Sequence, residues 1–330
     1  MNLTFVPLAA HFWGGLPPLI LSLQISSYVL LFILFCVTLK MMRDANLYVE
    51  DDMLRRDLCV LLATPFIVAT TCVIGNAFPR CGELMYAVGL TYLMGALFRV
   101  VDLVYKLFGG RQSFSRWLTA NGKRISFATT PMCCCCKCLP EAEPTPKNLQ
   151  RLLWFVWQSP TCRVLVQLAV IILVLEGVPD GSTVFRILDG VASISALIGV
   201  YITHIMLNMT QDYLEKFNMV ILFKCVDFGQ LFFTLLKLIC DSVFKHWNLG
   251  YTELMSVEAN SLFFFNVFAV AICLILATVQ ALRIRPGKCA LYDTKIAGRH
   301  VSIRRKWRKE FGLPDGAESD PDETFELTAL

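Results

Sequence analysis

Apolar residues along this chain come in long blocks, and the stretches between the blocks are dense in charge. A helix rising 1.5 Å per residue needs roughly 20 residues to cross about 30 Å of hydrocarbon. Blocks suited to that task run from Gly15 to Leu39, Cys59 to Phe78, Leu84 to Tyr105, Arg163 to Leu175, Val184 to Met209, Phe217 to Cys240 and Ser261 to Leu282. The fourth is the shortest and needs a few flanking residues. Lipid offers the backbone no hydrogen-bond partner, so each block is predicted as a helix despite its β-branched residues. Pro17 and Pro18 open the first, where a missing N–H costs little. The short Pro79-Arg80-Cys81-Gly82 turn makes the second and third antiparallel neighbours. The expected fold class is an all-α membrane protein, a seven-transmembrane helix bundle.

Composition supports this pattern. Of 330 residues, 56% are hydrophobic, with a mean hydropathy of +0.58, more apolar surface than one soluble core of this length requires. Basic residues then set an orientation. With the N-terminus outside, the internal loops are about 40–58, 106–162 and 210–216, followed by a tail from Arg283 to Leu330. They collect most of the Lys and Arg, against essentially Arg80, Arg186 and Lys245 opposite. By the positive-inside rule, residues 1–14 are extracellular, 15–283 form the transmembrane domain with a cytoplasmic Cys-rich loop at 106–162, and 284–330 form a cytoplasmic tail. An even number of spans would spoil this asymmetry. The first block lacks a basic n-region and a small-residue cleavage site, so it is read as a span rather than a signal peptide. Asn2-Leu3-Thr4 is a glycosylation sequon on the outer side; Asn208-Met209-Thr210 falls at the inner face and should be silent.

Fourteen cysteines are present, and many, such as Cys36, Cys72, Cys225, Cys240 and Cys273, stand singly in apolar blocks where packing accounts for them. Cys133, Cys134, Cys135, Cys136 and Cys138 need another account. A zinc site wants paired ligands and a second pair, and the loop has no His. A redox cluster would lack a stable partner in a reducing cytosol. Reversible S-palmitoylation fits best, because juxtamembrane cysteines beside Lys and Arg are acylated and the bases reinforce attachment. The basic cluster Arg304 to Lys309 suits anionic membrane lipids, and the acidic end from Asp315 to Glu326 suits a solvated, disordered tail. With a formal charge of only +4, nucleic acid binding is not expected.

Charges within spans usually face a protein interior, an aqueous path or a partner. The sixth span carries Lys224, Asp227 and Gln230 at three-residue spacing, with Lys237 further on. Lys224 and Asp227 share a helical face and can pair, either as a structural link or as part of a solute path. Arg99 and Asp102 repeat the theme in the third span, and Asp189 and His204 add polar groups in the fifth, with Asn208 on the His204 face. An amphipathic anion needs an apolar wall and a basic group, which Lys224, Arg99 or Lys237 can supply. No hydrolase triad, metal dyad or nucleotide-binding loop is present, so an enzyme is not expected and no cofactor is implied.

The chain resembles the alpha subunit of the organic solute transporter family over roughly residues 20–290. The resemblance rests on Cys133 to Cys136 with Cys138-Leu139-Pro140, Leu214-Glu215-Lys216-Phe217, the Phe223-Lys224 to Gln230 stripe, Met41-Met42-Arg43 and Tyr86-Ala87-Val88. It implies sodium-independent facilitated exchange of amphipathic organic anions, such as bile-acid or steroid conjugates, across the plasma membrane. Residence in endoplasmic reticulum or endosomal membranes is compatible with the same reading. Also implied is assembly with a separate single-span beta subunit. The five clustered cysteines map to the family's acylatable cysteines, and Lys216, Lys224 and Gln230 to its sixth-span signature. Two alternatives remain: an acylated scaffold or trafficking protein, and a seven-span receptor, which the absence of Asp-Arg-Tyr and Asn-Pro-x-x-Tyr sequences disfavours.

Overall fold

The computed structural model describes residues 13–15, 17–128, 141–178, 182–247 and 256–292. Among the described residues, seven helices are long and apolar enough to cross a membrane. They are α1 (Pro18–Tyr48), α2 (Asp52–Ala77), α3 (Gly82–Leu107), α5 (Pro146–Leu175), α6 (Thr183–Leu214), α7 (Met219–Trp247) and α8 (Val257–Arg283). A short amphipathic helix, α4 (Arg111–Ala120), lies between α3 and α5. The protein is a multi-pass membrane protein with an all-α, seven-transmembrane-helix bundle.

Local chemistry sets the helix ends. Pro18 starts α1. Asp51 caps α2, its carboxylate accepting from Met53 N (2.9 Å) and Leu54 N (3.3 Å), which offsets orphan amide donors. The Pro79–Cys81 turn is a single 3-10 turn and reverses the chain into α3 as expected. Helix α5 differs from expectation: it begins at Pro146, not near Arg163. Its first turns carry Lys147 and Arg151, which hydropathy reads as loop, but Thr145 caps them by accepting from Asn148 N at 3.3 Å. The expected 106–162 loop thus shrinks. Among the described residues, the remainder holds α4 and an antiparallel pair, β1 (Ile125–Ser126) with β2 (Glu141–Ala142). The five clustered cysteines lie outside the described residues, as do residues 293–330.

Helix α2 packs on α1, α3 and α8, while α5 and α6 pair with each other and lean on α3. Helices α2 and α3 are the most buried, and α1 and α5 the most exposed. Leu165, Leu168, Ile172 and Leu175 of α5, with Ile187 and Ile194 of α6, point apolar side chains outward, as a lipid-facing surface requires. We call the face holding the α1–α2 and α6–α7 junctions the linker face, and its opposite, with the α2–α3 turn, the turn face.

Two devices fix the linker face. Asn218, left-handed at φ 52°, donates from Nδ2 to Arg283 O (3.1 Å) and Lys288 O (2.8 Å), so the α6–α7 junction grips the chain leaving α8. Residues 284–292 fold back under it, with Ala290 N donating to Lys216 O and the Cys289 thiol to Phe217 O. Burial, reinforced by Cys289, Asp44 and Cys59, pushes the Tyr292 phenol up, so it stays neutral. Phe108, Phe114, Trp117 and Tyr213 form an aromatic cluster that seats α4 against the α6 end.

Helices α5 and α6 approach closely at Ser159, which donates to Ser195 O at 2.6 Å. A Cβ on Gly199 would stand 2.3 Å from Ser159 Oγ. Gly199→Ala should therefore lower the Tm in detergent by roughly 3–10 °C, from about 1–3 kcal/mol of overpacking. Adding Ser159→Ala should recover part of the loss, and a Gly199→Ala protein as stable as wild type would contradict this contact.

Candidate functional site

Along α3, Ala87, Thr91, Gly95 and Arg99 recur every fourth residue and so lie on one helical face. Three short side chains followed by a long cationic one leave a depression with a charged end. Its opposite wall comes from α5, through Pro160, Val164, Gln167, Leu168 and Ile171, and Val60 of α2 contributes to the lining. The result is a groove of about 610 Å³. A Cβ added at Gly95 would meet nothing within 4 Å, so that position opens onto free space. Pro160 lies inside α5, where it removes a backbone donor and favours a bend.

The groove is predominantly apolar. Thr91 turns its hydroxyl back to Ala87 O (2.8 Å), and the Tyr92 hydroxyl donates to Val60 O (3.5 Å). Val88, Val164 and Leu168 are exposed along its rim, so it is open laterally, toward the surroundings of the bundle. A molecule with a rigid apolar body and one anionic end matches this distribution of walls and charge.

Arg99 is part of a four-residue charge cluster. Its Nη1 lies 3.4 Å from Asp57 Oδ1. The other Asp57 oxygen lies 2.5 Å from Lys106 Nζ, which also reaches Asp102 Oδ2 at 2.7 Å. The expected Arg99–Asp102 pair is not formed: Asp102 faces Lys106 one turn on, and Arg99 reaches across to α2. The Asp57 side chain is only 2% exposed, whereas that of Arg99 is 42% exposed. Asp57 and Lys106 sit at the ends of their apolar blocks, within the expected loops 40–58 and 106–162, yet both are helical in the fold. The available signal was spacing, since Arg99, Asp102 and Lys106 follow the i, i+3, i+7 rhythm of one face.

The other expected path residues do not converge on this groove. Lys224 is exposed and has no ion-pair partner among the described residues. Asp227 pairs with His204 across α6 and α7 (3.4 Å) instead of with Lys224, and the His204 ring meets Phe223 edge-on. Gln230 is buried, its Oε1 without a partner among the described residues. Lys237 sits near the turn face between Asp241 (3.0 Å) and Glu83 (3.3 Å), while Ser261 donates to Asp241 at 2.6 Å. Two carboxylates already compensate that ammonium, which makes it a poor anion receptor. Asp189 lies exposed on α6. Asn266 donates to Asn76 at 2.7 Å and ties α8 to α2. Among the described residues no group of His, Cys, Asp or Glu is arranged to hold a metal ion.

Comparisons with known proteins agree with this architecture. The chain is 30% identical over 291 residues to organic solute transporter alpha-like protein 3 of Caenorhabditis elegans, covering 87% of this chain and 83% of that protein. Alpha-like protein 1 of the same organism is 27% identical over 74% of this chain and 64% of its own length. Alpha-like protein 2 is 22% identical over 79% of this chain and 77% of its own length. No solved structure matches the chain significantly. The family model described as organic solute transporter Ostalpha matches residues 23–282, which take in all seven membrane helices almost completely. The chain therefore belongs to the organic solute transporter Ostalpha family, a family of multi-span transporters rather than enzymes.

Proposed function

We propose that the chain carries amphipathic organic anions, of the bile-acid or steroid-conjugate class, down their gradients across the plasma membrane. The observation that supports this reading is the α3–α5 groove: an apolar, laterally open trough that ends on a half-exposed arginine. An amphipath lying in it would place its ring system against Val88, Val164 and Leu168 and its anionic group at Arg99. The guanidinium offers five N–H donors in a planar fork suited to a carboxylate or sulfate. Movement down a gradient needs a polar recognition point and an accessible route, with no nucleotide motor.

The wider assignment follows the same reading. The basic residues Arg55, Arg56, Arg116, Lys123 and Arg124 all lie toward the linker face, which we place in the cytoplasm, with the N-terminus outside. The β1–β2 pairing holds Ser126 opposite Glu141. Ser126 and Glu141 lie next to the expected Cys-rich stretch, and on this reading Cys133 to Cys136 and Cys138 are acylated and the basic residues beside them meet anionic lipids. A single-span beta subunit is the partner we expect.

Proteoliposomes loaded with labelled taurocholate or a steroid sulfate, with and without a candidate single-span partner, test the reading. Arg99→Ala should cut saturable flux per molecule by about tenfold or more, the scale of one lost charge-assisted hydrogen bond. Arg99→Lys should retain part of it. Wild-type flux in Arg99→Ala would remove the groove from the path, and no saturable flux in either wild-type preparation would favour the scaffold.

Gly95→Leu probes the apolar wall separately. By filling the groove it should lower flux of a rigid steroid anion several-fold, while Tm and surface abundance stay near wild type. Unchanged steroid flux in a folded Gly95→Leu protein would count against passage through this groove.

A further inference from the structure

We propose that Asp57 is a built-in competitor of the solute anion for Arg99, and that Lys106 sets how strongly it competes. This rests on the reading above, in which Arg99 receives the solute. A carboxylate as buried as Asp57 must be compensated within the protein. Of its two bases, Lys106 is much the closer, at 2.5 Å against 3.4 Å for Arg99. Lys106 therefore carries most of the compensation and is itself steadied by Asp102. Arg99 is left with one long contact, its only hydrogen bond among the described residues.

That division of labour has a mechanical consequence. An arriving carboxylate, sulfonate or sulfate can take the guanidinium by a bidentate contact while disturbing only the long Arg99–Asp57 bond. Asp57 does not become an uncompensated buried charge, because Lys106 stays with it. When the solute leaves, Asp57 takes Arg99 back. The site is thereby held at moderate affinity, which a facilitative carrier needs in order to release its solute on either side. Asp57 is a positioning residue, acting through Arg99 without touching the solute.

The two neighbours of Arg99 should thus shift affinity in opposite directions. Asp57→Asn keeps the side-chain shape but removes the competing charge; KM for a steroid sulfate should fall by about tenfold, with a lower Vmax as release slows. Lys106→Gln leaves Asp57 with Arg99 as its remaining base, and KM should rise by a similar factor. Asp57→Glu should keep KM within about twofold of wild type, and transport of an uncharged steroid should be insensitive to all three. Measurements are made per molecule in proteoliposomes of the full chain, with Tm recorded for each variant. Where a single variant fails to fold, the charge-balanced Asp57→Asn/Lys106→Gln protein replaces it, again with a lowered KM expected. An unchanged or raised KM in Asp57→Asn or in the balanced double variant, or an unchanged or lowered KM in Lys106→Gln, overturns the proposal. If Arg99→Ala abolishes flux while these variants leave KM unmoved, only the competitor role falls; wild-type flux in Arg99→Ala removes the groove reading itself.

Discussion

A polar group inside a membrane bundle has no bulk water to fall back on, so each buried charge must find its partner in the protein. Asp57 is the place where this constraint shapes the molecule most. Its carboxylate is sealed between α2 and α3, and Lys106 near the end of α3 meets it from the neighbouring helix. That contact fixes the two most buried helices at their linker-face ends. It also leaves Arg99, about two turns away on the same face of α3, partly unclaimed. Elsewhere the same rule gives closed solutions: Lys237 between Glu83 and Asp241, Asp227 with His204, and the Asn76–Asn266 amide pair.

The groove beside Arg99 owes its existence to the solvent. In water, an apolar trough of this size would favour collapse of α5 onto α3. Lipid chains are as apolar as leucine, so no comparable force draws the two helices together, and packing follows side-chain size. Ala87, Thr91 and Gly95 therefore mark a trough that need not close. On the proposed reading, an amphipathic solute entering from the side would replace lipid in that trough and bring its anionic group to Arg99.

The number of spans and the core of each were legible in the sequence, because the requirement is local: about 20 apolar residues in a row. Several helix ends were not, since α1 runs on to Tyr48, α2 begins at Asp52, α6 continues to Leu214 and α7 to Trp247, each past the point where charge interrupts the apolar block. Helix α5 escaped that reading where Lys147 and Arg151 interrupt its first turns, since those turns are held by Thr145 and by contacts with α3 and α4 rather than by lipid. The intramembrane charges were visible as residue types at helical spacing. Their pairing was not. Lys224–Asp227 and Arg99–Asp102 were the nearest partners along each helix, yet Asp227 and Arg99 found theirs on neighbouring helices.

By itself, then, the order of residues determined a seven-helix membrane protein with charges set at helical spacing inside its spans, since hydropathy and helical period act within one segment. Only the tertiary structure decided that Ala87, Thr91, Gly95 and Arg99 face α5, that Asp57 is enclosed with Lys106, and that Lys237 is already neutralised. The physical reason is that charge compensation acts over a few ångströms in space, between helices far apart in the chain, and the sequence of one helix holds no record of which neighbour it will meet.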